Sequence, residues 1–180
     1  MTINELIERA HGDAVRNGWW DEPRNTGDRS GRMGSLQRFN ERQWAYVEKW
    51  TMLAPEQIGG WPTPEEFDSD IFREEIKDSF SDELADIVIR IADYMGHHGH
   101  IFRDYDLTKK SDIKNVGENL LQISSFICSS SRDGSGMAGL DAALMGTFWL
   151  ANAHNIDLWR HIELKLAFNR TRGKKHGKAY

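Results

Sequence analysis

Residues 82–93 read DELADIVIRIAD, a helical stretch in which Leu, Ile, Val and Ala fill most of the circumference and acids stand at 82, 83, 86 and 93. At about 100° per residue, Glu83, Asp86, Arg90, Asp93 and His97 fall within a stripe roughly 80° wide. The rest of the helix is apolar and needs other elements to cover it. The polar stripe has two readings. It is either the solvated side of an amphipathic helix, or a pair of carboxylates one turn apart that repel each other unless a divalent cation lies between them. Mg²⁺ suits the second reading, because it takes oxygen ligands and shares them with water and substrate phosphates. Spacing alone does not choose.

The remaining sequence reads as more helix and almost no strand. Thr2 and Glu5 form a capping-box start, Ile3, Leu6, Ile7 and Ala10 recur at helical spacing, and Gly18 can close the turn. A polar, Gly- and Arg-rich loop (18–34) leads to a second helix from near Ser35, with Leu36, Phe39, Gln43, Tyr46, Val47 and Trp50 on one side and Pro55 beyond its end. Thr63 as cap, Pro64 and Glu66 predict a short helix over about 64–78. The quoted helix is expected over 82–98, followed by helices over 112–131 (capped by Ser111), 137–154 and from Asn155–Asp157 to 171, with a basic tail after it. Helices joined by short connections imply an all-α bundle.

Length and composition agree with this. A chain of 180 residues, 39% hydrophobic and 28% charged, fits a single domain with a sizeable core. A formal charge of −5 gives no push toward nucleic acid or a membrane surface. Cys128 is the sole cysteine, the start lacks the order of a signal peptide, and no apolar run is long enough to span a bilayer. The expectation is a cytoplasmic protein with no membrane partner and no nucleic acid polymer.

The segment LADIVIRIADYMGHHGHI (84–101) can be laid without gaps on LDAALMGTFWLANAHNID (140–157), pairing Leu84 with Leu140 and His98 with His154. Each follows another helix. The chain therefore reads either as one domain over 1–180 with a basic tail at 172–180, or as the same domain built on a degenerate tandem of helix pairs, 36–100 and 112–157.

DELADIVIRIAD resembles the ExxD half of the EExxE…ExxD signature of the MazG-like all-α nucleoside triphosphate pyrophosphohydrolases. HGDAVRNGWWDEPR (11–24) resembles the entry segment of a phage- and bacterial-type branch of that family, and HIELKLAFNRTRGKKHGKAY (161–180) its ending. The resemblance implies an all-α NTP pyrophosphatase fold and Mg²⁺-dependent attack of water on the α-phosphorus of a nucleoside triphosphate, giving the monophosphate and pyrophosphate. Small members of the family pair their chains, so a homo-oligomer, a dimer, is implied unless the tandem replaces the partner.

The resemblance makes Glu83 and Asp86 catalytic metal ligands. It also makes Lys165, Asn169, Arg172, Lys175 and His176 phosphate-binding groups, against the alternative of a solvated basic terminus. Trp19 and Trp20 either stack on a nucleobase or plug the end of the bundle. The first acidic motif is incomplete. On LQRFNERQWAYVEKW (36–50), Arg42 and Ala45 fall where two carboxylates belong, leaving Glu41 and Glu48 as further metal ligands although they are two turns apart. REEIKD (73–78) offers an EExxD too close to Glu83 for the usual hairpin, and residues 100–160 form an insertion. A catalytically degenerate relative, binding nucleotide or regulating without hydrolysis, is thus the alternative. His97, His98 and His100 beside Asp93 raise a transition-metal reading, set against exposed histidines at a Gly-rich helix end. Glu8 and His11 match half a di-iron motif with no second half.

Overall fold

A computed structural model describes residues 1–20, 67–132 and 137–173, the side chains of residues 131 and 132 excepted. Among these residues the secondary structure is entirely helical. The five long helices are α1 (Ile3–Arg16), α2 (Phe80–His97), α3 (Val116–Arg132), α4 (Ala138–Ala153) and α5 (Leu158–Thr171). The expected helix over 36–50, and with it Glu41, Arg42, Ala45 and Glu48, lies outside the described residues, as do Lys175 and His176.

α2 is the central element, with α1, α4 and α5 packed around it and α3 packed on α4. This follows from its sequence. Leu84, Ile87, Val88, Ile91 and Met95 are all buried, and they meet Leu6 and Ile7 of α1, Leu144 and Phe148 of α4, and Ile162 of α5 in one core. α1 comes so close that a Cβ at Gly96 would sit 2.5 Å from His11 Cβ. None of the described helices is long and apolar enough to cross a membrane.

The helix ends follow local chemistry. Thr2 caps α1 with the expected reciprocal box: its hydroxyl accepts from the Glu5 N–H at 3.2 Å, and its own N–H donates to Glu5 at 2.6 Å. Asp157 caps α5 by accepting from the Arg160 N–H. Ser111 does not start α3. Its hydroxyl binds Asn119 and accepts from the Ile113 N–H, while Asn115 accepts from the Glu118 N–H and the helix begins at Val116. A better-placed cap four residues on wins over the first one met in the sequence.

The described part of the helix expected over 64–78 is short and distorted. Asp68 caps Ser69–Ile71, the chain widens into a π-helical turn at Phe72–Ile76, and the Lys77 N–H returns to the Phe72 carbonyl at 2.7 Å. Asp78 then adopts φ +64°, a left-handed conformation that aspartate tolerates better than most residues. This tight corner delivers the chain to Ser79, whose hydroxyl caps α2 by accepting from the Asp82 N–H. Phe72 and Ile76 are buried against Leu164 and Phe168 of α5 as a second, smaller core.

The ends of α2 and α4 match in the register of the sequence echo. The His98 N–H reaches the Tyr94 and Met95 carbonyls and the His154 N–H the Leu150 and Ala151 carbonyls; Gly99 (φ +63°) and Asn155 (φ +56°) then turn left-handed. The His100 N–H returns to the Met95 carbonyl and the Ile156 N–H to the Ala151 carbonyl, both at 2.9 Å.

Candidate functional site

The first turn of α2 carries Asp82 and Glu83, and the second carries Asp86. Carboxylates are favoured here by the exposed N–H groups and positive dipole end of the helix, which offsets part of the cost of burying them. Asp82 is completely buried, and Glu83 and Asp86 are partly so. One oxygen of Asp82, Oδ2, accepts from the Asp78 N–H at 3.0 Å and from Lys165 Nζ at 2.6 Å. The other, Oδ1, is buried with no hydrogen-bond partner among the described residues. Lys165 Nζ also lies 3.7 Å from Asp86 Oδ2, and Arg90 Nε lies 4.0 Å from the same oxygen.

Lys165 is placed by α5. Its side chain is only 7% exposed, and its ammonium lies 5.9 Å from the centre of the Phe72 ring. The π-helical corner thus supplies both an aromatic ring facing the ammonium and, through Asp78, a donor to the same carboxylate. Asp78, Asp82 and Glu83 each offer an oxygen within 4.8 Å of the others.

Among the described residues, Asp82, Glu83 and Asp86 are gathered beside the Lys165 ammonium in a partly dry pocket, with Arg90 also 4.0 Å from Asp86. Burial pushes Asp82 up to about 6, with Asp86 adding to the shift and Lys165 opposing it. Burial, then Asp86, push Glu83 up to about 7. Burial pulls the Lys165 ammonium the other way, but Asp86, Asp82 and Glu83 together outweigh it and raise its pKa above the usual lysine value.

The oxygen donor set suits Mg²⁺. Neighbouring ligands around such an ion lie about 3 Å apart, so small side-chain rotations or a bridging water would bring the three oxygens to one centre. Asp82 Oδ1 is the member of this set that lacks a hydrogen-bond partner among the described residues, and a buried carboxylate oxygen without one is costly.

Asn169 stands one turn beyond Lys165 on the same side of α5, and its Oδ1 is buried without a hydrogen-bond partner among the described residues. Arg172 ends α5 with its guanidinium 5.7 Å from the Phe168 ring centre. Asp78 and Asp82 are the members that sequence reading did not single out. The acid at 82 was visible in the motif, but its value depends on Lys165, eighty-three positions away. Glu74 and Glu75 of REEIKD are exposed; its Asp78 alone joins the cluster.

The far end of the polar stripe is used differently. Asp93 Oδ1 accepts from the Trp20 indole at 2.9 Å and shares a hydrogen bond with His11 Nδ1 at 3.0 Å. The Trp20 ring stacks on His97 with centroids 3.6 Å apart. Trp20 therefore links the end of α1 to α2. Trp19 beside it is half-buried. His11 is committed to this link, and Glu8 is exposed. His100 is held by Asp141 of α4 at 2.8 Å, apart from His97 and His98.

The described residues form an all-helical fold with a carboxylate cluster at the N-terminus of α2, bridged by a buried lysine from α5. No family model, curated protein or solved structure matches the chain.

Proposed function

We propose that this protein is a Mg²⁺-dependent nucleotide pyrophosphohydrolase of the MazG-like all-α type, cleaving a nucleoside triphosphate to the monophosphate and pyrophosphate. The observation that carries the reading is the Asp82–Lys165 contact at 2.6 Å. It joins the first turn of the DELAD helix to the HIELK helix, two of the three segments that resemble the family, in one buried polar site.

Asp78, Asp82 and Glu83 would hold the cation, with Asp86 on the next turn of α2; when bound, the cation neutralises phosphate charge and acidifies water. Lys165 and Asn169 line the α5 side, where an ammonium and a side-chain amide can take phosphate oxygens. Arg172 stands at the end of the same helix.

The alternative is a nucleotide-binding or regulatory relative without hydrolysis. One observation favours it: Lys165 already supplies a positive charge among the carboxylates. Incubating the purified protein with each common ribo- and deoxyribonucleoside triphosphate and Mg²⁺, and measuring monophosphate and pyrophosphate, separates the two. Release that disappears in Glu83→Gln supports the enzyme. Folded protein with no turnover across the panel rejects it.

A further inference from the structure

Lys165 is unusual for a group that is to meet phosphate. Its ammonium points into the acids rather than toward solvent, with Asp82 Oδ2 at 2.6 Å and Asp86 Oδ2 at 3.7 Å. The two contacts are unequal. The Asp82 bond is short, fully buried and shared with the Asp78 N–H. The Asp86 contact is longer than a hydrogen bond, and Asp86 is partly open to solvent and shares the same oxygen, Oδ2, with Arg90 at 4.0 Å. Asp82 Oδ1, meanwhile, is buried and has no hydrogen-bond partner among the described residues, although oxygens of Asp78 and Glu83 lie within 4.8 Å of a ligand oxygen of Asp82.

We propose that the Lys165 ammonium is the resident counter-ion of this cluster and competes with the divalent cation for it. Without a cation, Lys165 sits against both Asp82 and Asp86, sharing Asp86 with Arg90. When a cation enters among the oxygens of Asp78, Asp82 and Glu83, the ammonium keeps Asp82 Oδ2 and turns its remaining donors outward along α5, toward Asn169. This inference rests on the cation-site reading above, and it makes Lys165 a positioning residue that sets metal affinity.

The physical ground is charge. An ammonium within a few ångströms of a bound divalent ion repels it in a pocket of low effective dielectric. Were Lys165 merely a strut that orients Asp82, removing it would loosen the ligands and weaken binding. The two roles therefore predict opposite signs.

The test is Mn²⁺ binding at fixed pH near 7.5, followed by electron paramagnetic resonance and calorimetry, with no nucleotide present. Wild type is compared with Lys165→Met, Lys165→Gln and Lys165→Arg. The expected result is that the two uncharged variants bind Mn²⁺ at least tenfold more tightly than wild type, while Lys165→Arg stays at or below the wild-type affinity. Gln preserves a donor to Asp82, so it serves if Met does not fold. Equal or weaker binding by folded uncharged variants would overturn the inference, as would tightening by Arg equal to that of Met. The hydrolase reading fails separately. Turnover by wild type with unchanged variant affinities leaves the enzyme and removes the competition; tighter variants without turnover do the reverse.

Discussion

At their C-termini α2 and α4 follow the same backbone path through His98 and His154, whereas their N-termini have been put to opposite uses. In the register that pairs Leu84 with Leu140, Asp82, Glu83 and Asp86 face Ala138, Gly139 and Ala142. Where α2 projects Glu83 into a pocket, α4 has a glycine against α3: a Cβ there would lie 2.5 Å from the Phe126 carbonyl and closer still to Ser130 Oγ. The shared ends belong to a common kind of cap. The unlike beginnings show how one helical frame can be either an open carboxylate site or a closed packing surface, depending on whether the neighbouring helix is held away or let in.

The largest effect comes from forcing α4 to resemble α2. Gly139→Glu places a side chain, and a charge, where the α3 backbone runs, and is expected to cost at least ~3 kcal/mol, or about 10 °C in Tm. A melt with no loss would show that α3 can withdraw and that the contrast between the two ends is shallow.

A comparable effect separates α5 from α2 by pH. His161 is buried, and burial holds its pKa down at about 4, with Asp157 opposing and Arg160 assisting. A histidine depressed on folding contributes stability that is full above its unfolded value and is lost as pH falls from about 6.5 toward 4, by up to ~3 kcal/mol. Glu83 runs the other way. Its folded pKa is raised, so it favours the folded state at low pH and costs stability as pH rises through about 7. Denaturant titrations of His161→Gln should show the low-pH loss removed; an unchanged slope would contradict it.

Glu83→Gln removes a carboxylate that the fold holds under strain. Because the group is partly open to water, the expected gain is about 1–2 kcal/mol at pH 8, shrinking to nothing near pH 4.5. The same variant should lose cation binding and turnover. A stability gain together with a loss of function is the pattern of a site residue. A loss of stability at pH 8 would instead mark Glu83 as a structural ion-pair partner.

The legible part of the fold was what depends on local sequence. The Thr2–Glu5 box, the apolar side of α2 and the Asp157 cap each rest on residues within a turn of one another, and the all-helical character followed from them. The Phe72–Ile76 π turn and the Asp78 corner were not legible, because what stabilises them is burial of Phe72 and Ile76 against Leu164 and Phe168, far along the chain. The site divided in the same way. Glu83 and Asp86 stood out by spacing, and Lys165 and Asn169 by resemblance. Asp82 gains its importance from the Lys165 contact, and Asp78 from a left-handed φ that no sequence pattern announced.

The smallest effect concerns the cap that aims the cluster. Ser79 accepts from the Asp82 N–H at 3.2 Å, whereas the residue preceding α4, Met137, makes no side-chain cap. Ser79→Ala should cost about 1 kcal/mol in a chemical melt and weaken cation binding slightly. Met137→Ala should leave cation binding untouched, and a shift there would break the asymmetry between the two helix starts.

The central claim is that the first turns of α2, and not those of α4, hold a divalent cation. Substoichiometric Mn²⁺ added to isotope-labelled protein tests it directly, because a bound paramagnetic ion broadens nearby amide resonances. The account predicts selective broadening at 78–86 and around Lys165, with 138–142 unaffected and the whole effect absent in Glu83→Gln. Uniform broadening, or broadening centred on His97–His100, would contradict it.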